Sequence, residues 1–206
     1  MKILKQSFWM LTPINEDEII KQIERIARVC YKSEDKINKN SGKKLVANLV
    51  KNDHSAMLEH VYLSAQFVTN RAIANELVRH RQASYAQEST RYCNYSKGKF
   101  NSEISVIRPP FIERGTKIAE IWENSCKESE NNYFKLLSQG LTAQEARGVL
   151  PLDLKTEIVI TANIREWRHI FKVRCSPAAH PQMREMLEPV KRLFEKEMPT
   201  IFNLEV

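Results

Sequence analysis

The densest run of polar side chains in the sequence extends from Arg79 to Tyr92 and reads RHRQASYAQESTRY. Three arginines, one histidine and three serine or threonine hydroxyls fall within thirteen of its positions. Arginine binds phosphate oxygens bidentately and keeps its positive charge at any physiological pH. The run therefore favours a segment that binds an anionic ligand. A solvated helix end, with Arg79 and Arg81 near the negative end of the helix dipole, is the alternative.

Further arginines recur downstream, and each of them alone is typical of a protein surface. Arg147 is the exception, because it follows Ala146 and precedes the apolar run Gly-Val-Leu-Pro, where burial is expected. A buried guanidinium needs an anionic partner. The other candidates are Arg165, Arg168 and Arg174.

The sequence lacks the motifs of several familiar binding and metal sites. Its five glycines form neither G-x-G-x-x-G nor G-x-x-x-x-G-K-[ST], which makes a dinucleotide-binding Rossmann domain improbable. The histidines form no H-E-x-x-H motif, and the four cysteines form no C-x-x-C pair. We therefore expect neither a metal site nor a disulfide framework.

Composition places the chain among globular proteins. Its 206 residues contain 42% apolar and 28% charged residues, which argues against wholesale disorder. The formal charge of +7 favours anionic partners such as nucleotides, phosphorylated cofactors or nucleic acid. No apolar run approaches the ~20 residues of a membrane span, and no signal-peptide core is visible. We expect a soluble protein of the reducing cytoplasm.

The elements that must position these residues follow from hydrophobic periodicity and capping signals. Asn15 is expected to cap the first helix, whose inward stripe ends at Cys30, and Thr142 with Glu145 forms a capping box. The pattern predicts one α+β domain over residues 1–206. Predicted strands cover 2–10, 61–68 and 158–162; predicted helices cover 16–30, 45–50, 71–81, 116–137, a short turn after 142, 165–173, and a last helix from 181, kinked at Pro189.

The polar run resembles the signature R-H-R-x-x-S-x-N-E-x-S-x-R of the flavin-dependent thymidylate synthases. The similarity extends from about residue 16 to about residue 195. It includes Asp53-His54 to Glu59-His60, the A-R-x-x-L-P segment Ala146–Pro151, and Asn163 to Arg174 followed by His180. The signature positions that match are Arg79, His80, Arg81, Ser84, Ser89 and Arg91.

The chain departs from the family pattern at three positions. Ala86 and Gln87 stand where the signature has Asn-Glu, so a carboxylate contact there is replaced by an amide, with Glu88 one residue further on. Cys30 stands where the family has a short hydroxyl residue.

The resemblance implies an activity, a set of ligands and an assembly. The family converts dUMP to dTMP with 5,10-methylenetetrahydrofolate as one-carbon donor, FAD as hydride carrier and NADPH as reductant. All four are anionic, in agreement with the positive charge of the chain. The implied fold is α+β, with a central mixed or antiparallel sheet packed by long helices, assembled as a homotetramer whose active sites collect residues from several subunits.

Site residues are carried over from the family position by position. Weaker candidates for the flavin site are His54, Glu59 and His180. The implied dUMP contacts are Glu76, Arg79, Gln87, Glu88, Ser89, Arg91, Arg147 and Arg174. The implied FAD contacts are Arg79, His80, Arg81, Gln87, Asn163, Arg165 and His169.

Arg174 resembles the family residue placed against the pyrimidine ring, and it is the catalytic candidate. Hydride addition at C6 of uracil moves electron density onto the carbonyl oxygens and N3. A fixed guanidinium stabilises that charge more in the transition state than in the ground state. This route needs no enzymic nucleophile.

Other interpretations stay open at this point. A covalent adduct at C6 could be made by Ser89 or by a thiolate of Cys93 or Cys175. A nucleic-acid-binding module could use Tyr85, Tyr92 and Tyr95 as stacking platforms, although 25 acidic residues argue against it. A purely structural oligomer would leave the polar run unexplained.

Overall fold

A computed structural model describes residues 1–203, and residues 204–206 lie outside the described part. The fold is α+β, as predicted. The strands are β1 (Lys2–Leu4), β2 (Ser7–Met10), β3 (Tyr62–Asn70), β4 (Ala83–Gln87), β5 (Ser105–Ile107) and β6 (Lys155–Asn163). The α-helices are α1 (Glu16–Val29), α2 (Ser41–Lys51), α3 (Arg71–Leu77), α4 (Lys117–Ser138), α5 (Ala143–Ala146), α6 (Ile164–Arg174), α7 (Pro181–Glu197) and α8 (Pro199–Phe202).

The strands form two sheets. β1 pairs in parallel with β5, with Lys2 opposite Ser105, and the larger sheet has the order β2-β3-β6-β4. The prediction of one strand over residues 2–10 is therefore wrong, because β1 and β2 belong to different sheets. Gln6, between them, accepts a hydrogen bond from the Thr69 hydroxyl at 2.6 Å.

Two compact units divide the chain, and their boundaries fall inside β2, β3, β4 and β6. Unit 1 comprises residues 1–8, 66–79 and 85–159; unit 2 comprises residues 9–65, 80–84 and the chain from Ile160 onward. The assignment of residues 1–206 to one domain stays a prediction.

The core of unit 1 forms around α4. Thr116 caps this helix by accepting a hydrogen bond from the Ala119 N–H, which confirms the predicted start. Its inward face contributes Cys126 and Tyr133 to a buried cluster that also contains Tyr95, Ile104, Val106, Ala146 and Leu154. The predicted short helix after Thr142 is confirmed as well, with its capping box.

The core of unit 2 is an aromatic cluster between α6, α7 and α8. Trp167 is fully buried, and its indole N–H donates to the Leu63 carbonyl at 3.0 Å. Its ring lies 5.6 Å from that of Phe171 and 5.3 Å from that of Phe194. These contacts fix α6, the helix that carries the predicted flavin residues Arg165 and His169 and is capped by Asn163.

Local structure corrects several sequence-based boundaries. Cys30 is exposed and follows the end of α1, although Asn15 caps this helix as predicted. The predicted helix 71–81 ends at Leu77. The chain leaves the helix before His80, whose buried ring binds elsewhere in unit 2. Strands β4 and β5 were not predicted, because neither shows a clear apolar alternation.

No helix among residues 1–203 has the length and apolar character needed to cross a bilayer.

Replacement of Gly42 by alanine is expected to destabilise the protein. A Cβ at this buried position of α2 would meet Ile20 Cγ2 at 2.7 Å and Glu24 Oε2 at 2.9 Å. Overpacking typically costs ~1–3 kcal/mol, and this outweighs the ~1 kcal/mol gained in helix propensity. Urea unfolding measures the change.

Gly148 supplies the control for that measurement. No atom of the described chain lies within 4 Å of a Cβ built there. Gly148→Ala should therefore leave the protein at least as stable as wild type, because alanine restricts the unfolded chain and meets no clash here. A Gly42→Ala protein as stable as wild type would show that α1 and α2 are not packed as described.

Candidate functional site

The centre of the candidate site in unit 2 is the buried imidazole of His80, the middle residue of the Arg-His-Arg run. Only 6% of His80 is exposed. Its Nδ1 lies 3.0 Å from Oε1 of Glu166, which is itself buried in the first turn of α6. Asn163 begins that helix by accepting a hydrogen bond from the Glu166 N–H at 2.8 Å.

Arg174, the last residue of α6, contacts the other side of the same ring. Its Nε donates to Nε2 of His80 at 3.0 Å. Because arginine stays protonated, Nε2 must be the acceptor, and the ring proton of neutral His80 is then on Nδ1. The structure therefore contains an ordered series in which Arg174 donates to His80 and His80 donates to Glu166.

Electrostatics keep this imidazole neutral. Burial lowers the pKa of His80, the hydrogen bond to Glu166 opposes that shift, and the positive charge of Arg174 adds to it. The net result is a pKa below the ordinary value of 6.5. The neutral form is the one that can accept from Arg174.

Stability should consequently fall when the pH drops below about 6.5, the unfolded-state value for histidine. Between that value and the lower folded-state pKa, the unfolded chain binds a proton that folded His80 does not, so unfolding becomes easier. Urea unfolding at pH 7.5 and 5.5 tests this against His80→Gln, in which the other four histidines remain. Equal pH dependence in the two proteins would contradict the described environment of His80.

His169 completes the cluster from the middle of α6. Its ring packs edge-on against that of His80, with centroids 5.6 Å apart. Ligand-type atoms of His80, Glu166 and His169 lie within 4.8 Å of one another. A cation placed among them would face the charge of Arg174, so the arrangement favours a hydrogen-bonded network. That the chain holds no metal stays a prediction.

A cavity of about 660 Å³ in unit 2 is lined by residues of α2, α6, α7, α8 and the segment before β3. Arg165 and His169 line it, as do Phe171 and Phe202. Its charged lining comprises five basic and two acidic side chains: Lys51, Arg165, Arg168, Lys172 and Lys191, with Asp53 and Glu195. The surplus of positive charge suits an anionic ligand.

Two arginines of this cavity are held in different ways. Arg165 forms an ion pair with Glu59, in a half-exposed setting. Arg168 donates to the Ile201 carbonyl at 2.6 Å, and burial lowers its pKa while Asp53 opposes the shift. The sequence singled out Arg165 but gave Arg168 no role.

The remaining predicted flavin residues have diverse surroundings. Asn163 is buried, and its side-chain oxygen accepts the hydrogen bond that caps α6. Arg81 is exposed next to buried His80 in the chain. His54 and His180 are exposed and do not line the cavity of about 660 Å³ in unit 2; the His180 side chain caps α7 by accepting from the Gln182 N–H.

Unit 1 brings together two predicted substrate segments that are far apart in the sequence. Arg147 donates to the Thr90 hydroxyl at 3.4 Å, and Arg91 donates to the Gln144 side chain at 3.5 Å. Ser89 Oγ accepts the Arg91 backbone N–H at 3.3 Å. Two exposed guanidinium groups and a hydroxyl thus lie at one loop. Arg147 was expected to be buried, but it is exposed.

Glu88 and Gln87 are partly buried next to this loop. Lys155 donates to Glu88 at 3.0 Å, and the Tyr95 hydroxyl donates to it at 3.4 Å. Burial alone would lower the pKa of Lys155, but hydrogen bonds to Glu157 and Glu88 raise it above its usual value. Glu88 and Lys155 line a cavity of about 730 Å³ in unit 1. Gln87 donates to the Thr156 hydroxyl at 3.3 Å.

Two more predicted substrate contacts lie at the end of α3. Glu76 is half-buried in the last turn of the helix, and Arg79 is exposed just beyond it. The Arg79 N–H donates to the Glu76 carbonyl at 3.3 Å, which closes the turn.

Sequence reasoning missed Glu166 and Lys155. Glu166 lies three residues after Asn163 and four before Ile170, on the buried face of α6. An acidic residue at a core position of a helix needs a partner, and this signal was available in the sequence. Lys155 had no such signal, since strand ends often carry charge.

Comparison with known proteins gives the family. A family model described as "Thymidylate synthase complementing protein" matches residues 14–200. A flavin-dependent thymidylate synthase of Geobacter sulfurreducens is 30% identical over 184 residues, covering 86% of this chain and 78% of the relative. One from Mycolicibacterium vanbaalenii is 30% identical over 200 residues, covering 88% and 77%. One from Sulfurisphaera tokodaii is 38% identical over 143 residues, covering 67% and 53%.

The chain belongs to the family of flavin-dependent thymidylate synthases. This confirms the resemblance seen in the arginine-rich signature. It also confirms that the chain is an enzyme of the methyltransferase class, that thymidylate synthesis is its reaction and that flavin is its cofactor.

The structure also bears on the alternatives that the sequence left open. Tyr95 is only 4% exposed, packed against Phe100 and Tyr133, so it cannot stack on a base. Burial raises the pKa of the Cys175 thiol to about 11, which disfavours the thiolate needed for covalent attack. The first observation removes Tyr95 from the proposed stacking platforms, and the second disfavours Cys175 as the nucleophile.

Proposed function

We propose that this protein catalyses the reductive methylation of dUMP to dTMP, with 5,10-methylenetetrahydrofolate as one-carbon donor, FAD as hydride carrier and NADPH as reductant. The carbon that methylenetetrahydrofolate donates must gain two electrons to become the methyl group of dTMP. NADPH supplies those two electrons. The observation that carries the proposal is the Arg174 guanidinium, bound to buried His80 of the signature run at 3.0 Å.

The basic cavity of unit 2 fits an FAD site. Its volume of about 660 Å³ lies within the usual range of ~300–1,000 Å³ for cofactor pockets. Arg165, Arg168 and Lys172 suit a diphosphate, and the half-buried ring of Phe202 suits an aromatic ring. In this cavity, the cofactor would contact Arg165 and His169, two of the FAD residues implied by the family. FAD supplies the hydride chemistry when bound.

The loop of unit 1 fits the phosphate of dUMP. Arg91 and Arg147 are exposed arginines. Arg147 hydrogen-bonds Thr90, the residue before Arg91, and Arg91 hydrogen-bonds Gln144, three residues before Arg147. Ser89 adds a hydroxyl next to Arg91. A phosphate dianion accepts hydrogen bonds from two guanidinium groups at once. Their present partners are the neutral side chains of Gln144 and Thr90, which bind arginine less strongly than a phosphate would.

Arg174 stabilises charge on the uracil ring. As the C6 carbon accepts a hydride, electron density moves onto the ring oxygens and N3. A guanidinium already fixed by His80 needs no reorganisation to meet that charge. His80 stays neutral, and so it adds no second positive charge and keeps its acceptor available to Arg174. The chain therefore contributes the position of the Arg174 guanidinium and the electrostatic field that it exerts on the uracil ring.

The assembly we propose is a homotetramer in the cytoplasm. Exposed large apolar side chains on the neighbouring strands β2 and β3 support association, since such patches commonly mark interfaces. They are Trp9, which is 42% exposed, and Tyr62, which is 57% exposed, with Leu11 just beyond β2. Light scattering of the purified protein measures the molar mass.

Product analysis tests the function. Protein reduced anaerobically by NADPH is mixed with dUMP and 5,10-methylenetetrahydrofolate, and dTMP is quantified with each reactant omitted in turn. We expect dTMP only in the complete mixture. A protein that binds neither FAD nor dUMP, yet binds oligonucleotides in a salt-sensitive way, would refute the proposal.

A further inference from the structure

Glu166 stands outside every contact implied by the family signature, yet it is one of the few buried carboxylates of unit 2. It is 8% exposed, and its Oε1 lies 3.0 Å from His80 Nδ1. Arg174 contacts the opposite nitrogen of that ring at the same distance. Glu166 and Arg174 therefore bind one imidazole from two ends of a single helix, about 12 Å apart along its axis.

We propose that Glu166 is a positioning residue, which acts through His80 to hold the Arg174 guanidinium in the orientation that meets the uracil ring. The inference rests on the proposed function. It assigns to Glu166 no contact with substrate or cofactor.

The position of the proton on His80 decides whether the ring can bind Arg174. Neutral histidine has two tautomers, and the contact with Arg174 Nε requires the one with its proton on Nδ1. In the other tautomer, an N–H of the ring would face the N–H of Arg174, and the contact at 3.0 Å would be lost. The Glu166 carboxylate accepts from Nδ1 and so selects the tautomer that holds Arg174.

Loss of the carboxylate would leave the Nδ1–H buried without an acceptor. That cost falls in the range of ~1–3 kcal/mol, enough to drive the ring to the other tautomer or out of its place. In either case Nε2 no longer accepts from Arg174. The effect of Glu166 on the reaction is thus transmitted by one defined hydrogen bond.

The intervening imidazole also preserves the charge of Arg174. A carboxylate in direct contact would offset the guanidinium, as Glu24 does for Arg28 at 2.9 Å on α1. Glu166 is instead separated from Arg174 by a neutral ring. The contact uses the Nε edge of the guanidinium, and the other four N–H donors are on the η nitrogens, the atoms that would meet the uracil.

Packing of α6 does not depend on this carboxylate. The helix is capped by the Asn163 side chain and fixed by buried Trp167. The Asn163 contact is to the backbone of Glu166, so it persists when the side chain changes. A loss of activity with an intact α6 is therefore the expected phenotype.

Steady-state kinetics on E166A and E166Q test the proposal, with flavin content and dUMP affinity measured in each protein. For E166A we expect kcat to fall ~10²-fold, as misplacement of a catalytic group by about 1 Å can cause, with the KM for dUMP little changed. E166Q should keep most of the wild-type kcat, because its amide oxygen still accepts from Nδ1. Both variants lose the same charge from the first turn of α6, so E166Q is the matched control for helix stability.

A double-mutant cycle separates positioning from a structural role. If Glu166 acts through Arg174, then E166A in the R174A background should cause no further loss of kcat. E24A is the control for loss of a buried, paired carboxylate elsewhere in unit 2, and we expect lower stability with unchanged kcat. E166M, which fills the space without an acceptor, replaces E166A if the alanine variant does not fold.

Three results would overturn the inference: wild-type kcat in E166A or E166M, an equal loss in E166Q, or an additive loss in the R174A background. The proposed function fails separately, when wild-type protein forms no dTMP from the complete mixture. If the wild type forms dTMP and R174A does not, any failure of the Glu166 variants to behave as described concerns the inference alone.

Discussion

Arg174→Ala should lower kcat for dTMP formation by ~10²–10³-fold, the usual effect of removing one donor that stabilises a developing oxyanion. The guanidinium is held before the reaction by His80, so its contribution comes without reorganisation. Flavin content should stay at the wild-type level, since the basic cavity retains Arg165, Arg168 and Lys172. Chemical quench of a single turnover at saturating dUMP measures the rate directly.

Arg192→Ala is the control for that experiment. Arg192 is an exposed arginine on α7, 3.8 Å from Glu188, and its loss removes the same charge from unit 2. It should leave kcat unchanged. Near-normal turnover in Arg174→Ala would remove this residue from the mechanism.

The double variant Arg91→Ala/Arg147→Ala should raise the Kd for dUMP by about 10²-fold or more, because hydrogen bonds to charged groups contribute ~1.5–3 kcal/mol each. Both arginines lie at one loop of unit 1, with Ser89 beside them. The salt dependence of dUMP binding should weaken in the same variant, since two screened charges are lost. Isothermal titration at low and at physiological ionic strength measures both effects.

Arg114→Ala/Lys127→Ala, a change at two other exposed basic residues of unit 1, removes the same net charge and is the control in that titration. We expect wild-type affinity from it. If deoxyuridine without its phosphate loses as much affinity as dUMP in the double variant, the two arginines do not bind the phosphate.

Local signals explain the parts of the fold that the sequence predicted. Asn15 and Thr116 are helix caps, and both helices begin where these caps place them. Alternation along β3 and β6 was visible because one face of each strand is buried. β4 was not predicted, because its sequence Ala-Ser-Tyr-Ala-Gln lacks that alternation.

The site depends on contacts that no local pattern encodes. The resemblance to the family identified His80 and Arg174, but it did not indicate that Arg174 donates a hydrogen bond to His80. Likewise, Arg147 meets Thr90 only through the tertiary fold, and its exposure contradicts what its apolar neighbours indicated. Glu166 was visible in principle, as a charge on the buried face of α6, but its partner was not.

A crystal structure of the protein with FAD and dUMP tests the central claim most directly. We expect the flavin in the basic cavity of unit 2 and a uracil oxygen or N3 within hydrogen-bonding distance of the Arg174 guanidinium, with the His80 and Glu166 contacts intact. Ligands bound elsewhere, with Arg174 out of reach of the pyrimidine, would contradict it.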